Sequence, residues 1–256
     1  NVVLSEQVNM TDRIDNPYIT ENKLNEINAA NGNKYEFVKV DGNTEGNYTL
    51  DKQVITYWYQ KKETKVVIIH VEQGTDTTDP STITSVLYPT ETINGRIDEE
   101  YSTSDRVNEI NRNSQVQYEV VSKTDNWMGN MTLDTQYVVY VYRKIPAHIV
   151  VKHVDINTKE ELLDSETRNE YVGNEYTTEN KLTEVNEKHE NKYELVTPEP
   201  ANKNGIYSSQ EQVIIYYYDK KPAQVNVKYV DIDTEEELAD GEEIIGKVDD
   251  EYATED

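Results

Sequence analysis

Aromatic side chains are the residues of this sequence that are best suited to contact a ligand at the protein surface. Trp127 lies in the stretch TDNWMGN, which predicts a loop, and an indole ring at a loop can stack on the C–H face of a sugar. The alternative role for Trp127 is packing over a sheet edge. Trp58 and Tyr217 lie in strand-like runs, where packing in a core is the favoured role for a large ring. Trp127 is therefore the first candidate for ligand binding, and Trp58 and Tyr217 are weaker ones.

Closely spaced carboxylates are the second group with a chemistry of its own. The run DIDTEEE places Asp231, Asp233 and Glu235 at alternate positions, and calcium binds oxygen ligands spaced in this way. The glycine that a calcium loop carries at its sixth position is absent, so a turn with solvated charges is the favoured interpretation. We predict no metal site and no cofactor, and these three residues are the candidates should calcium bind.

The sequence shows no arrangement of residues that is typical of a catalytic site. The four histidines are scattered, and His148 and His153 would face opposite sides of a strand, which is poor spacing for a metal. There is no glycine-rich phosphate loop and no nucleophile elbow. These observations predict that the protein is not an enzyme.

Charge and composition exclude several classes of partner. The 256 residues include 25 Lys and Arg against 50 Asp and Glu, which gives a net charge of -25. Such a chain repels the phosphates of nucleic acid, and no apolar stretch is long enough to insert into a membrane. There is no cysteine, so disulfides and thiolate metal sites are excluded. A cytosolic protein and a secreted protein of a Gram-positive bacterium both fit this composition.

An internal repeat organises the whole chain. The phrase YITENKLNEIN at Tyr18 recurs as YSTSDRVNEIN at Tyr101, as YTTENKLTEVN at Tyr176 and as YATED at Tyr252, at intervals of about 80 residues. We predict four tandem repeats: 1–62 without its first strand, 63–145, 146–222, and 223–256 as the N-terminal part of a further repeat. Since both ends fall inside a repeat, we expect the sequence to be a fragment.

The sequence of each repeat predicts the same series of elements, namely strand, strand, helix, strand, loop and strand. In the third repeat, Leu182 and Val185 would share the inner face of a short helix that Thr177 or Thr178 caps. The last strand, QVIIYYYDKK, is apolar on both faces, which favours a central position beside the first strand. The order predicts an α+β fold of tandem β-grasp (ubiquitin-like) domains, each a mixed sheet with one short helix. Short linkers containing Pro146 and Pro222 favour an extended, monomeric string.

The chain resembles the MucBP (mucin-binding protein) repeat family over essentially its whole length. The start of such a repeat is matched by VNVKYVDIDTEEELADGEEIIGKVDDEYATED, in particular by Tyr229, Val230, Asp231, Gly246, Tyr252 and Thr254. The second half is similar in GNYTLDKQVITYWY, GNMTLDTQYVVYVY and GIYSSQEQVIIYYY. The second repeat departs most, because a longer segment replaces its first tight turn.

The resemblance implies a surface protein of a Gram-positive bacterium, extracellular and attached to the cell wall through a region outside this sequence. It implies a β-grasp-like fold and non-catalytic adhesion to host mucin or to the glycans of other host glycoproteins. Weak sites on several repeats would gain avidity through tethering. The alternative is a structural stalk that projects a distal binding domain from the wall.

Overall fold

A computed structural model of the chain describes residues 3–254. The last two residues of the YATED phrase, Glu255 and Asp256, lie outside this range, as do Asn1 and Val2. The chain forms two compact units, one of Asn1–Ile110 with Glu119–Arg143 and one of Asn111–Tyr118 with Lys144–Asp256.

The same order of elements recurs along the chain. The first repeat contains β1 (Pro17–Ile19), α1 (Leu24–Ala30), β2 (Tyr35–Asp41), β3 (Glu45–Asn47) and β4 (Thr56–Lys61). The second contains β5 (Glu63–Glu72), a 3-10 turn (Pro80–Thr82), β6 (Tyr88–Arg96), β7 (Glu100–Ser102), α2 (Val107–Asn113), β8 (Tyr118–Lys123), β9 (Met128–Asn130) and β10 (Gln136–Lys144). The third contains β11 (Pro146–Asp155), β12 (Glu161–Tyr171), β13 (Glu175–Thr177), α3 (Leu182–Lys188), β14 (Tyr193–Leu195), β15 (Asn204–Ile206) and β16 (Gln212–Lys220). The fourth contains the hairpin of β17 (Pro222–Val230) and β18 (Glu237–Lys247).

The second and third repeats each hold a mixed four-stranded sheet. The strand orders are β6-β5-β10-β8 and β12-β11-β16-β14. In each sheet the first and last strands of the repeat are central and parallel, with β5 beside β10 and β11 beside β16. The predicted α+β class and the predicted neighbourhood of the first and last strands are confirmed. In the first repeat, β4 pairs with β2 in a two-stranded sheet.

The core of the third repeat lies between the sheet and its helix. Ile214, Tyr216 and Tyr218 alternate along β16 and are completely buried, and α3 contributes Val185, which is also completely buried. Leu182 packs against the same cluster, as its spacing from Val185 predicted. On the opposite face of β16, Tyr217 is only half-buried. Burial of alternate large side chains therefore holds the short helix on one face of the sheet.

One expectation from the sequence is wrong, and one strand pairing was not predicted. Neither Thr177 nor Thr178 caps α3, since the helix begins at Leu182 and its N-cap is Lys181, whose side chain makes no capping hydrogen bond. The N–H of Lys181 instead donates to the hydroxyl of the buried Tyr218, at 2.9 Å, so a tertiary contact satisfies this amide. The segments flanking the helix also form an unpredicted two-stranded sheet of β13 and β15, and equivalent pairs occur in the two preceding repeats.

Candidate functional site

The loop that carries Trp127 is held by hydrogen bonds to its backbone. The N–H and the Oγ1 of Thr103 both donate to the Trp127 carbonyl oxygen, at 2.9 and 2.8 Å. The hydroxyl of Tyr101 donates to the carbonyl oxygen of Asn126 at 2.7 Å, and the Asn126 amide donates to the carbonyl oxygen of Tyr137 at 3.1 Å. The backbone at the tryptophan is therefore anchored to β7 and to the central strand β10.

The same anchor exists in the first and third repeats, with different residues at the anchored position. Thr20 Oγ1 donates to the carbonyl oxygen of Thr44 at 3.1 Å, and Thr178 Oγ1 donates to that of Lys203 at 3.0 Å. Each anchoring threonine also shares a hydrogen bond with a tyrosine hydroxyl of the last strand. These pairs are Thr20–Tyr57 at 2.8 Å, Thr103–Tyr140 at 2.8 Å and Thr178–Tyr216 at 2.9 Å. We call this arrangement the anchored loop; its variable position is Thr44, Trp127 or Lys203.

The sequence contains one signal for the anchored loop, the recurring Tyr-x-Thr phrase. The recurring Tyr-x-Thr phrase supplies the anchoring tyrosine and threonine, so its recurrence reflects hydrogen bonding to the loop. A glycine follows the loop because a Cβ at Gly205 would stand 2.7 Å from the hydroxyl oxygen of Tyr176. The sequence pattern alone does not show that the Tyr-x-Thr phrase contacts a loop about 25 residues further along the chain.

The indole of Trp127 is half-buried and one of its faces is occupied by a cation. The Nζ of Lys123 lies 3.4 Å from the ring centroid, which is a close cation–π contact. A sugar could stack on this face only by displacing the ammonium, whereas an acidic sugar could also pair its carboxylate with it. The arrangement is suited to a ligand that offers both an apolar ring face and an anion.

Trp58 and Tyr217 occupy equivalent positions on β4 and β16. Both are half-buried, which is compatible with either packing or binding. The Nε1 of Trp58 donates to Asp41 Oδ2 at 2.6 Å, and the Nζ of Lys39 lies 5.4 Å from the ring centroid. Lys39 and then Trp58 lower the pKa of the Asp41 carboxyl. The Nζ of Lys159 lies 5.1 Å from the Tyr217 ring, so all three candidate rings carry a lysine on one face.

The proposed calcium ligands lie in the turn of the fourth repeat. The carboxylate of Asp231 accepts hydrogen bonds from the backbone N–H groups of Asp233 and Thr234, both at 2.9 Å, and these bonds lower its pKa. Asp155 makes the equivalent bonds to Asn157 and Thr158 in the third repeat. The side chains of Asp233 and Glu235 are exposed. Within residues 3–254, no group of three or more histidines and carboxylates is placed to hold a metal ion.

Two histidines that the sequence left without a role are buried in the cores. His70 Nδ1 lies 2.7 Å from the Tyr142 hydroxyl, and its Nε2 lies 3.3 Å from Glu91. Arg106 closes the network, because its side chain donates to Glu91 and its backbone N–H donates to the Tyr142 hydroxyl at 2.9 Å. Burial is the main cause that lowers the pKa of His70, and the Glu91 carboxylate opposes it.

His153 has the equivalent place in the third repeat but an incomplete network. Its Nδ1 lies 2.8 Å from the Tyr218 hydroxyl, whereas its Nε2 is buried without a hydrogen-bond partner. Glu166, the counterpart of Glu91, pairs with Arg168 at 2.6 Å. Burial lowers the pKa of His153, and Lys181 lowers it further. Because both histidines are shielded from solvent, we assign them to packing and not to ligand binding.

In the described part of the chain, no helix has the length and apolar character needed to cross a membrane. The repeated sheets, helices and anchored loops define a tandem array of small α+β domains. Comparison with known families identifies the array. The model of the MucBP domain family matches residues 1–60, 65–143, 148–219 and 224–256, and the chain belongs to this family.

Relatives of known name are two proteins called Internalin J from Listeria monocytogenes. The chain is 29% identical over 254 residues to that of serotype 4b strain F2365, covering 96% of this chain and 24% of that protein. It is 27% identical over 252 residues to that of serovar 1/2a strain EGD-e, covering 95% of this chain and 26% of that protein. The chain thus spans about a quarter of the length of these relatives.

Two solved structures also show similarity. One is SHIRT (Streptococcal High Identity Repeats in Tandem) domains 3-4 from a cell surface protein, with a TM-score of 0.28 and 9% identity, covering 63% of this chain and 99% of that one. The other is the Bacillus anthracis TIE protein, with a TM-score of 0.36 and 9% identity, covering 83% of this chain and 50% of that one.

Proposed function

We propose that this chain is a repeat region of a bacterial surface adhesin that binds mucin or other host glycoprotein glycans without catalysis. The four segments 1–62, 63–145, 146–222 and 223–256 would be successive MucBP repeats, and each complete repeat a β-grasp domain. The family membership and the strand order with parallel central first and last strands support this proposal. The protein would act outside the cell, attached to the wall of a Gram-positive bacterium, as a monomeric extended array.

The observation that carries the proposal is the anchored loop with its variable position. Its backbone is held by the same threonine and tyrosine hydrogen bonds in three repeats, while the displayed side chain changes from Thr44 to Trp127 to Lys203. A rigid backbone lowers the conformational entropy lost when a ligand binds. In the second repeat, the half-buried indole of Trp127 with Lys123 on its face would contact the glycan, with an aromatic surface for a sugar ring and a cation for an acid.

A structural stalk is the second candidate function, and two observations favour it. Lysines cover one face of Trp58, Trp127 and Tyr217, and a sugar would have to displace them in order to stack there. The net charge of -25 also opposes the approach of acidic glycans over distances up to the Debye length. In a stalk, the recurring residues would serve only to fold and to space a distal domain.

The experiment that separates the two functions is binding of the whole chain to immobilised mucin, in native and deglycosylated forms. An adhesin binds native mucin and loses this binding after deglycosylation. Equal, weak signals on both surfaces up to high micromolar concentration would favour the stalk. A chain of matched length and charge without the repeats is the control for nonspecific adsorption.

A further inference from the structure

A turn in the second repeat is bound by lysines of the first repeat, within one compact unit. Asp98, which follows β6, has a left-handed backbone conformation with φ of 65°. Its carboxylate accepts from Lys34 Nζ at 2.8 Å and pairs with Lys61 Nζ at 2.9 Å. These hydrogen bonds lower the pKa of Asp98. Lys34 immediately precedes β2 and Lys61 is the last residue of β4, so the turn is held by two residues that lie at neighbouring ends of paired strands.

The fourth repeat meets the third in the same way, within the other compact unit. Asp249, which follows β18, has φ of 67° and pairs with Lys192 and Lys220, both at 3.3 Å. Lys192 and Lys220 occupy the sequence positions of Lys34 and Lys61. The bond to Lys192 is the largest cause that lowers the pKa of Asp249. The same three charges thus recur at two junctions; we call them the ionic clamp.

Backbone hydrogen bonds accompany the clamp at both junctions. Lys62 N–H donates to the Lys34 carbonyl oxygen at 2.8 Å, and Ile97 N–H donates to that of Lys62 at 3.2 Å. The equivalent bonds are Lys221 to Lys192 at 2.8 Å and Val248 to Lys221 at 3.0 Å. The same backbone geometry therefore accompanies the same three charged residues at both junctions.

The equivalent positions inside the second compact unit keep the backbone bonds but lack the clamp. Ile145 N–H donates to the Gln117 carbonyl oxygen and Val172 N–H to that of Ile145, both at 2.9 Å. Gln117 replaces the first lysine and Gly173, with φ of 100°, replaces the aspartate. A Cβ at Gly173 would collide with the carbonyl oxygen of Gln115, so no side chain fits there. This closer approach of two backbones is incompatible with an aspartate at the turn.

We propose that the array uses two junction types, an ionic type and a glycine type, and that an aspartate cannot take the place of the glycine. The surface formed by the two lysines accepts a following repeat with a left-handed aspartate, and the surface at Gln115–Gln117 accepts one with glycine. The ionic type is expected to respond to salt, because its charges are partly exposed, with relative side-chain exposures of 28–46%. This inference does not depend on glycan binding.

The test uses the whole chain, which has no cysteine of its own, with spin labels at Glu45→Cys and Asp134→Cys on either side of the first ionic junction. We expect the distance distribution to broaden about twofold between about 0.1 M and 1 M NaCl, and Asp98→Gly to broaden it already at low salt. Glycine keeps the left-handed turn, so this variant removes only the clamp. A distribution that stays narrow in both cases would overturn the ionic role.

Hydrogen exchange on the whole chain tests the glycine type. Gly173→Asp is expected to remove protection at the Ile145 and Val172 amides, since the side chain cannot fit against Gln115. Asp98→Gly is the matched reverse change. In this variant the Lys62 and Ile97 amides should keep most of their protection from exchange, because the backbone hydrogen bonds remain. Full protection in Gly173→Asp would show that the two junction types are interchangeable and would overturn the proposal.

Discussion

The second and third repeats share a polar framework inside their cores and differ in what surrounds it. In both, a threonine before the helix pairs with a tyrosine of the last strand, at 2.8 Å for Thr103–Tyr140 and 2.9 Å for Thr178–Tyr216. In both, a buried histidine of the first strand meets a second tyrosine hydroxyl that also accepts the N–H before the helix. Both repeats therefore contain the same hydrogen-bonded pairs beside the helix and the loop.

The two repeats differ in the partner of the buried histidine and in the residue that the anchored loop displays. His70 has the carboxylate of Glu91 within 3.3 Å, whereas the Nε2 of His153 has no partner. The anchored loop displays Trp127 in the second repeat and Lys203 in the third. The comparison teaches that one framework tolerates different side chains wherever solvent or a second polar group is within reach.

The largest expected effect comes from the shared part of the framework. Tyr142→Phe and Tyr218→Phe each remove a buried hydroxyl that bonds to a histidine and accepts a helix-start N–H, leaving both groups unsatisfied. Each change should lower the free energy of unfolding of its own repeat by about 2–3 kcal/mol. Denaturant unfolding gives the size, and hydrogen exchange locates the loss.

Tyr252→Phe is the matched control, because this side chain is 62% exposed and its change should cost less than about 0.5 kcal/mol. A loss in only one of the two repeats would break the comparison, since it would show that the two networks are not energetically equivalent.

A smaller effect is expected from acid, and it should differ between the repeats. Burial holds the pKa of both histidines below the ordinary value of 6.5, so the unfolded chain binds protons first. The stability that the two neutral histidines contribute is fully present above pH 6.5. It falls as the pH decreases towards each folded-state pKa, by no more than about 1.4 kcal/mol per histidine for each pH unit. An NMR titration of the imidazole signals should give His153 the lower pKa. The Glu91 carboxylate stabilises the charged form of His70, whereas the Nε2 of His153 has no hydrogen-bond partner.

Glu91→Gln sharpens this comparison. It removes the negative charge beside His70, so the pKa of His70 should fall towards that of His153 while His153 stays unchanged. Equal pKa values for the two histidines in the unaltered chain would contradict the role given to Glu91. Glu166, Lys181 and Glu184 also act on His153, and Lys181 has the largest electrostatic effect among these three.

The sequence was sufficient to predict the elements and their order, because apolar alternation and turn residues are local signals. It placed the helix stripe of Leu182 and Val185 and the central last strand correctly. It did not predict that Thr178 turns away from the helix towards Tyr216, or that β13 pairs with β15. Such contacts join residues far apart in the chain, and only the folded backbone decides which hydroxyl is closest.

The smallest expected effect concerns the cation on the tryptophan. Lys123→Ala removes an ammonium 3.4 Å from the Trp127 ring and should cost about 0.5–1 kcal/mol of local stability. The fluorescence of Trp127, measured in a Trp58→Phe background, should change in intensity. An unchanged spectrum would mean that the lysine does not occupy the ring in solution, which would remove one argument for the stalk.

The most direct test of the account is mucin binding by Trp127→Ala beside Lys203→Ala, its counterpart in the third repeat. If the anchored loop displays the ligand contact, Trp127→Ala should lower affinity about 30-fold, as a central aromatic contact worth about 2 kcal/mol does. Lys203→Ala should change it far less, and both variants should remain folded at the temperature of the assay, which a denaturant unfolding curve checks. Unchanged binding by Trp127→Ala, with native mucin bound as before, would contradict the assignment of the anchored loop as the binding site.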